Sequence, residues 1–243
     1  MKIAIRGGHN NGVTGASGIL DEVTEDRKIY IKVIEYLKQL GHQVLDATSS
    51  NTSTTVQDLS YGVTKANDWG ADYFFSIHLN SGGGKGTEVL YYNGSSKGKD
   101  MAIKIVNKIS ALGFVNRGAK IDTRGLYELR NTGMAANIVE VCFVDSKEDA
   151  ELYKKVGIDR IAKAIAEGIT GQEIEEKAKS KFPLPLKVTN NVVSIGFKNG
   201  QPYPVKEFRI GDLITAIGEI NKLYELNVNG EKAYIPVGYT ANR

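Results

Sequence analysis

Four side chains in this 243-residue sequence have the types that hold and use a hydrolytic metal: His9, Glu22, His78 and Glu140. Neutral imidazoles and a carboxylate oxygen suit Zn2+, and three protein ligands leave the fourth position to water. Such a metal lowers the pKa of water toward 7 and so yields a nucleophile at neutral pH. A second carboxylate must then take the water's proton and pass it to a leaving amine. Glu140 suits that task, because in the apolar run Ile138-Val-Glu-Val-Cys142 its pKa is expected to rise.

Each of these residues also has a plainer explanation. His9, in a glycine-rich loop, reads equally as a solvated loop histidine. His78 reads as a hydrogen-bonded core histidine, and Glu22 as a first-turn acid favoured by the helix dipole. Glu140 is hardest to explain away, since a carboxylate between Val139 and Val141 costs free energy unless it is paired or functional. The third of the three histidines, His42, follows Gly41 at a helix end and reads as structural. Spacing carries little by itself: 13, 56 and 62 residues separate the four positions in turn, and no His-Glu-x-x-His occurs.

The elements around these residues give the stronger signal. Lys2–Ile5 reads as a short strand that feeds the loop Gly7–Gly18. Val23, Tyr30, Val33, Ile34, Leu37 and Leu40 predict an amphipathic helix from Glu22 to Leu40, stopped by Gly41. Gln43–Leu45 reads as a strand, and Val56, Leu59, Val63, Ala66 and Trp69 mark a helix closed by Gly70. Tyr73–Ile77, Thr87–Tyr92 and Asn137–Val144 read as further strands, with helices through Met101–Leu112 and Ile158–Ile169. Strands alternating with helices imply an α/β domain with a mostly parallel sheet over residues 1–171. Ligands bind beyond the carboxyl ends of such strands. His9 follows the first strand there, and Glu22 opens the first helix. His78-Leu79-Asn80 ends a strand just before Gly82-Gly83-Gly84, and Glu140 lies on the last strand.

Beyond Gly171 the texture changes. Residues 172–184, charged and then proline-containing, read as a linker. Residues 185–243 carry short strands and turn signals at Asn190-Asn191, Lys198-Asn-Gly200, Gly211-Asp212 and Asn229-Gly230, the last a strong hairpin signal. They predict a small all-β domain.

Composition narrows the function classes. Hydrophobic residues are 41% of the chain and charged residues 24%, as in a globular protein with a sizeable core. A net charge of +3, from 31 basic and 28 acidic residues, argues against a nucleic-acid partner. No apolar run is long enough to span a bilayer, so no membrane partner is expected. Met1-Lys-Ile-Ala-Ile5 enters a strand at once, without the charged and apolar regions of a signal peptide. The expectation is synthesis in the cytoplasm, with action elsewhere only after release. Cys142 is the one cysteine, which rules out an internal disulfide, and it reads as a buried core thiol. There is no Gly-x-Ser-x-Gly motif of a serine hydrolase.

Gly7-Gly-His9, Glu22 at a helix start, Ser76-Ile-His-Leu-Asn80 and Val139-Glu-Val-Cys-Phe-Val-Asp145 with Glu148-Asp149 resemble the zinc-dependent N-acetylmuramoyl-L-alanine amidases of the Amidase_3 type. The likeness runs over about residues 1–170 and is greatest to endolysins of phages that infect Gram-positive bacteria. The resemblance implies that His9, Glu22 and His78 bind zinc and that Glu140 is the catalytic acid/base. It implies hydrolysis of the amide between N-acetylmuramic acid and the L-alanine of the stem peptide. Asn80 matches the family's His-x-Asn pattern, which implies a substrate-binding or supporting role. One position departs: many members carry Asp-Pro or a similar pair before Gly-His, where this chain has Arg6-Gly7.

Arg209-Ile-Gly-Asp-Leu-Ile-Thr-Ala-Ile-Gly218, Lys222-Leu-Tyr-Glu-Leu226 and Ala233-Tyr-Ile-Pro-Val237 resemble a bacterial SH3-type domain. That resemblance implies binding to a cell-wall polymer through residues 185–243, while the amidase resemblance implies peptidoglycan of a Gram-positive bacterium as the substrate. Tyr203, Tyr224, Tyr234 and Tyr239 either line a face that stacks on the ligand or fill the small core. Two other readings stand beside the amidase: a zinc peptidase that cuts within the stem peptide, and a wall-binding protein without activity.

Overall fold

The computed structural model describes residues 1–50, 52–174 and 183–242, and the chain divides into two units, Met1–Ile174 and Glu175–Arg243. In the first unit, β1 (Lys2–Gly7), β2 (Gln43–Asp46), β3 (Tyr73–Asn80), β4 (Thr87–Tyr91), β5 (Asn116–Ile121) and β6 (Ala135–Phe143) form one sheet. Its order is β2-β1-β3-β6-β4-β5, and every neighbouring pair is parallel except β4 with β6. Helices α1 (Glu22–Gln39), α2 (Thr55–Trp69), α3 (Ser96–Ser110), α4 (Tyr127–Asn131), α5 (Lys147–Val156) and α6 (Ile158–Thr170) accompany it.

Both faces of the sheet are covered, which is why its central strands are apolar almost throughout. Ile3, Ile5, Phe75, Ile77, Val139 and Val141 pack against α1, α3 and α6. Ala4, Phe74, Ala136 and Ile138 pack against α2 and α4. Cys142 is fully buried, and burial pushes its thiol pKa up.

Register then decides where polarity appears. Ala4, Phe74 and Ala136 lie side by side across β1, β3 and β6. Two residues on, the same row holds Arg6, Ser76 and Ile138, and the next pairs His78 with Glu140. Side chains along a strand alternate faces, so these residues share the face covered by α2 and α4. The apolar rows of the smaller core therefore give way, at the carboxyl ends of the strands, to a polar cluster.

Three elements lie outside the sequence expectation. Asn116-Arg-Gly-Ala-Lys-Ile121 forms edge strand β5, whose polar composition hides the period-two signal. α4 has only five residues, and α5 is separated from α6 by Gly157. α3 starts at Ser96, ahead of its apolar stripe, because the Ser95 hydroxyl accepts a hydrogen bond from the Gly98 amide. Among the described residues, no helix is long and apolar enough to cross a membrane.

The second unit is a seven-stranded antiparallel sheet: β7 (Leu184–Val188), β8 (Val192–Lys198), β9 (Gln201–Phe208), β10 (Leu213–Ile220), β11 (Leu223–Val228), β12 (Glu231–Pro236) and β13 (Thr240–Asn242). Leu186, Val188, Phe208, Ile214, Ala216, Tyr224, Leu226 and Ile235 form its core. Val228 pairs with Glu231 across Asn229-Gly230, and both turn residues have positive φ, as a type I′ hairpin requires. Of the four tyrosines named from sequence, Tyr224 joins the core, whereas Tyr234 meets exposed Phe197 edge-to-face and Tyr239 is exposed. The Tyr203 hydroxyl donates to Glu231. In the segment 172–184, Gln172–Ile174 belong to the first unit and Leu184 opens β7, while 175–182 lie outside the described residues.

Candidate active site

Glu22 is the organising residue. Asp21 caps α1 by accepting from the Thr24 amide, which puts Glu22 at the first helical position with its carboxylate over the positive end of the helix. Glu22 Oε2 accepts from the Ala16 amide at 2.7 Å, and Oε1 accepts from the Leu79 amide at 3.1 Å. These bonds aim Oε1 at two imidazoles: His9 Nε2 lies 3.4 Å away and His78 Nδ1 3.1 Å away. Burial opposes ionisation of Glu22, but hydrogen bonds from His78 and His9 outweigh it and hold the carboxyl well below the usual carboxylate range.

The donor atoms of His9, Glu22 and His78 all lie within 4.8 Å of one another. Donors about 2.1 Å from a tetrahedral zinc would be separated by roughly 3.4 Å, so this set fits the ion. Two glycines make the approach possible. A Cβ at Gly8 would strike the His78 ring, and one at Gly15 would strike Glu22 Oε2 and come within 2.7 Å of His9 Cδ2.

Glu140 stands beside this cluster, paired in register with His78 and, across the antiparallel β4–β6 pair, with Glu88. Its Oε2 is buried without a hydrogen-bond partner. Burial pushes its pKa up to about 7, with His78 opposing the shift and Glu22 and Glu88 reinforcing it. A carboxyl poised near neutrality, with one oxygen uncommitted, is equipped to accept and return a proton.

Behind the cluster lies a buried network that has no signature in the spacing of the four residues. Arg6 is fully buried, and all five of its N–H donors are used. Nε donates to Gly7 O, Nη1 to Asp58 O and Glu128 Oε1, and Nη2 to Gly8 O and Asp58 Oδ2. The arginine thus clamps the two carbonyls just ahead of His9. Glu128 Oε2 lies 3.9 Å from His78 Nε2, which also meets Ser76 Oγ at 3.0 Å. Both faces of His78 are therefore constrained: Nδ1 toward Glu22, Nε2 toward Ser76 and Glu128. In the metal-free protein burial would lower the pKa of His78, yet Glu128 and Glu22 raise it to about 10.

Asn80 stands beside the cluster rather than in it. Its Nδ2 donates to Glu88 Oε1 at 2.9 Å, and Arg117 Nε donates to Glu88 Oε2 at 2.7 Å. Asp145 Oδ2 accepts from the amides of Gly82 and Gly83, and Asp149 Oδ2 from those of Gly86 and Phe143. Those two aspartates tether the glycine-rich loop to the end of β6. His42, beyond the end of α1, takes no part in the cluster.

The strand ends of this α/β sheet thus bring together a His-Glu-His set that could hold a metal ion and a near-neutral carboxylic acid. The chain belongs to the N-acetylmuramoyl-L-alanine amidase family Amidase_3, whose pattern it matches over residues 3–171. It is 44% identical over 185 residues to an uncharacterized protein of Clostridium perfringens, covering 74% of this chain and 54% of that one. It is 33% identical over 175 residues to the N-acetylmuramoyl-L-alanine amidase CwlM of Bacillus licheniformis, covering 70% of this chain and 67% of that one. Among solved structures it is similar to the catalytic domain of the CD27L endolysin, described as targeting Clostridia difficile. That match has a TM-score of 0.66 at 35% identity, over 72% of this chain and 99% of the other. The chain spans about half the length of the Clostridium perfringens relative.

Proposed function

We propose that the protein is a zinc-dependent peptidoglycan amidase of the endolysin kind. In this reading it cleaves the amide between N-acetylmuramic acid and the L-alanine of the stem peptide in a Gram-positive wall. The observation that carries the reading is Glu140: an acid with a pKa near 7 and an uncommitted oxygen, beside a His-Glu-His donor set. His9, Glu22 and His78 would hold Zn2+. When bound there, zinc supplies Lewis acidity, which polarises the scissile carbonyl and acidifies water.

The remaining work falls to the chain's own groups. Glu140 takes the proton of the attacking water and returns it to the leaving L-alanine nitrogen. Arg6 and Glu128 keep the two histidines aligned by fixing the Gly7-Gly8 carbonyls and the Nε2 side of His78. Residues 185–243 would act as an SH3-like wall-binding domain, raising the local concentration of the catalytic unit on its polymer. The pair of exposed Phe197 and half-buried Tyr234 supports that role, as aromatic faces suit sugars and peptides. In this reading the protein would be made in the host cytoplasm and act on the wall after release.

The test is the chemistry of the new ends. Purified Gram-positive peptidoglycan digested by the protein should show new free L-alanine amino groups and no new reducing sugars. A different new amino terminus would favour a peptidase that cuts within the stem. Sedimentation with walls and no cleavage would favour a binding protein.

A further inference from the structure

In front of the cluster lies a groove of about 300 Å³, lined by Gly8, His9, Glu140, Leu126 and Tyr127, with Arg124 among its walls. Histidines aside, Arg124 is the one cationic side chain among the described residues that line it. It is exposed, and among the described residues no ion pair or side-chain hydrogen bond ties its guanidinium down. Asp58 and Glu128 are instead both paired with Arg6. Its backbone, by contrast, is held firmly. The Asp122 carboxylate accepts from the Arg124 amide at 2.9 Å and the Leu126 amide at 2.7 Å, and the Asp122 amide donates to Tyr91 O. A free guanidinium is thus carried on a fixed base beside the proposed acid/base. The charge of Arg124 is felt at Glu140.

We propose that Arg124 recognises a carboxylate on the peptide side of the scissile amide. The inference rests on the amidase reading above. Glu140 serves the leaving nitrogen in that reading, and Arg124 lines the same groove as Glu140, which brings the leaving peptide within the cation's reach. Guanidinium is a bidentate partner for carboxylate, and an unpaired one in a groove that it shares with Asp58, Glu128, Glu140 and the two histidines has that capacity unspent.

Steady-state kinetics of the zinc-loaded full chain would test it on two soluble probes. One is N-acetylmuramoyl-L-alanyl-D-glutamate, and the other is the same compound with both carboxyls amidated. Wild type should favour the acid roughly ten- to hundredfold, the scale of one charged hydrogen-bonded contact, and mainly through KM. Arg124→Ala should abolish that preference and Arg124→Lys should keep part of it, with zinc content unchanged in both. A preference that survives Arg124→Ala, or a wild type that lacks one, overturns the assignment while leaving the amidase reading intact. A wild type that cuts neither probe at the alanine amide overturns the amidase reading, and the role of Arg124 falls with it.

Discussion

Arg6 and Glu128 form an ion pair at 3.0 Å with both side chains essentially excluded from solvent, at 0% and 2% exposure. The pair joins β1 to α4 and lies directly behind the candidate metal cluster. Removing one partner of such a pair leaves a buried charge uncompensated, which typically costs about 3–5 kcal/mol. Arg6→Met should therefore destabilise the first unit by that order, as read from urea unfolding. The arginine offsets the burial of Asp58 and Glu128 and holds both carboxyls below their usual range. Their contribution to stability is thus present above the unfolded value near 4 and lost as pH falls through the lower folded values. The loss caused by Arg6→Met should be largest at neutral pH and shrink at pH 3.

Glu128→Gln leaves Arg6 its pairing with Asp58, so it should cost less stability than Arg6→Met while it loosens the metal. Partners behind a ligand histidine typically contribute 10–100-fold in affinity, and Glu128 is the carboxylate behind His78. A competition titration with a chromophoric chelator would read the change. An unaltered affinity would assign the orientation of His78 to Ser76 alone.

Zinc and protons should compete at His78. With its pKa raised to about 10, this side chain is protonated at pH 7 in the metal-free protein, yet it must be neutral to bind a metal. Binding at pH 7 should release a proton from His78, and zinc affinity should rise about tenfold per pH unit between pH 6 and 8. Isothermal titration in buffers of different ionisation enthalpy would count the protons. Zero proton release would contradict the geometry described for His78 and Glu22.

The two close-approach glycines make a sharp steric prediction. A methyl group at Gly8 or Gly15 falls on ligand side chains rather than in open space. Gly8→Ala and Gly15→Ala should each lower zinc affinity tenfold or more. Thermal unfolding should change less than for Arg6→Met, because the apolar core is untouched.

Much of this site was legible in the sequence, for identifiable reasons. His78 and Glu140 announce themselves because polar residues on apolar strands are costly unless used, whereas His9, in a glycine-rich loop, is marked only by its place after the first strand. Glu22 stood out only as the opening of a strongly periodic helix. Arg6 carried a signal of the same kind, a charge inside Lys2-Ile-Ala-Ile-Arg6, although its partners did not. Asp58 looks like an ordinary first-turn helix acid, and Glu128 lies in a helix of five residues, too short for a period to show. Contacts between residues 52 and 122 positions apart in sequence leave no local mark on composition. The motif of Asn80 points at the site, and its side chain reaches Glu88, the register neighbour of Glu140.

Activity should also carry the mark of Glu140. As the base, this residue must be ionised, so at saturating zinc kcat/KM should rise with pH along an acid limb at or below the metal-free value of about 7, since a nearby cation lowers a carboxyl pKa. An acid limb that survives unchanged in Glu140→Gln would assign the proton transfer to another group.

The most direct test of the account is zinc per chain and amide-bond turnover, measured together for wild type and Glu140→Gln. One zinc per chain in both, with turnover down a hundredfold or more in the variant, is the predicted result. Comparable turnover in the variant, or loss of zinc along with activity, would contradict the assignment of Glu140 as the proton carrier beside a His9-Glu22-His78 metal site.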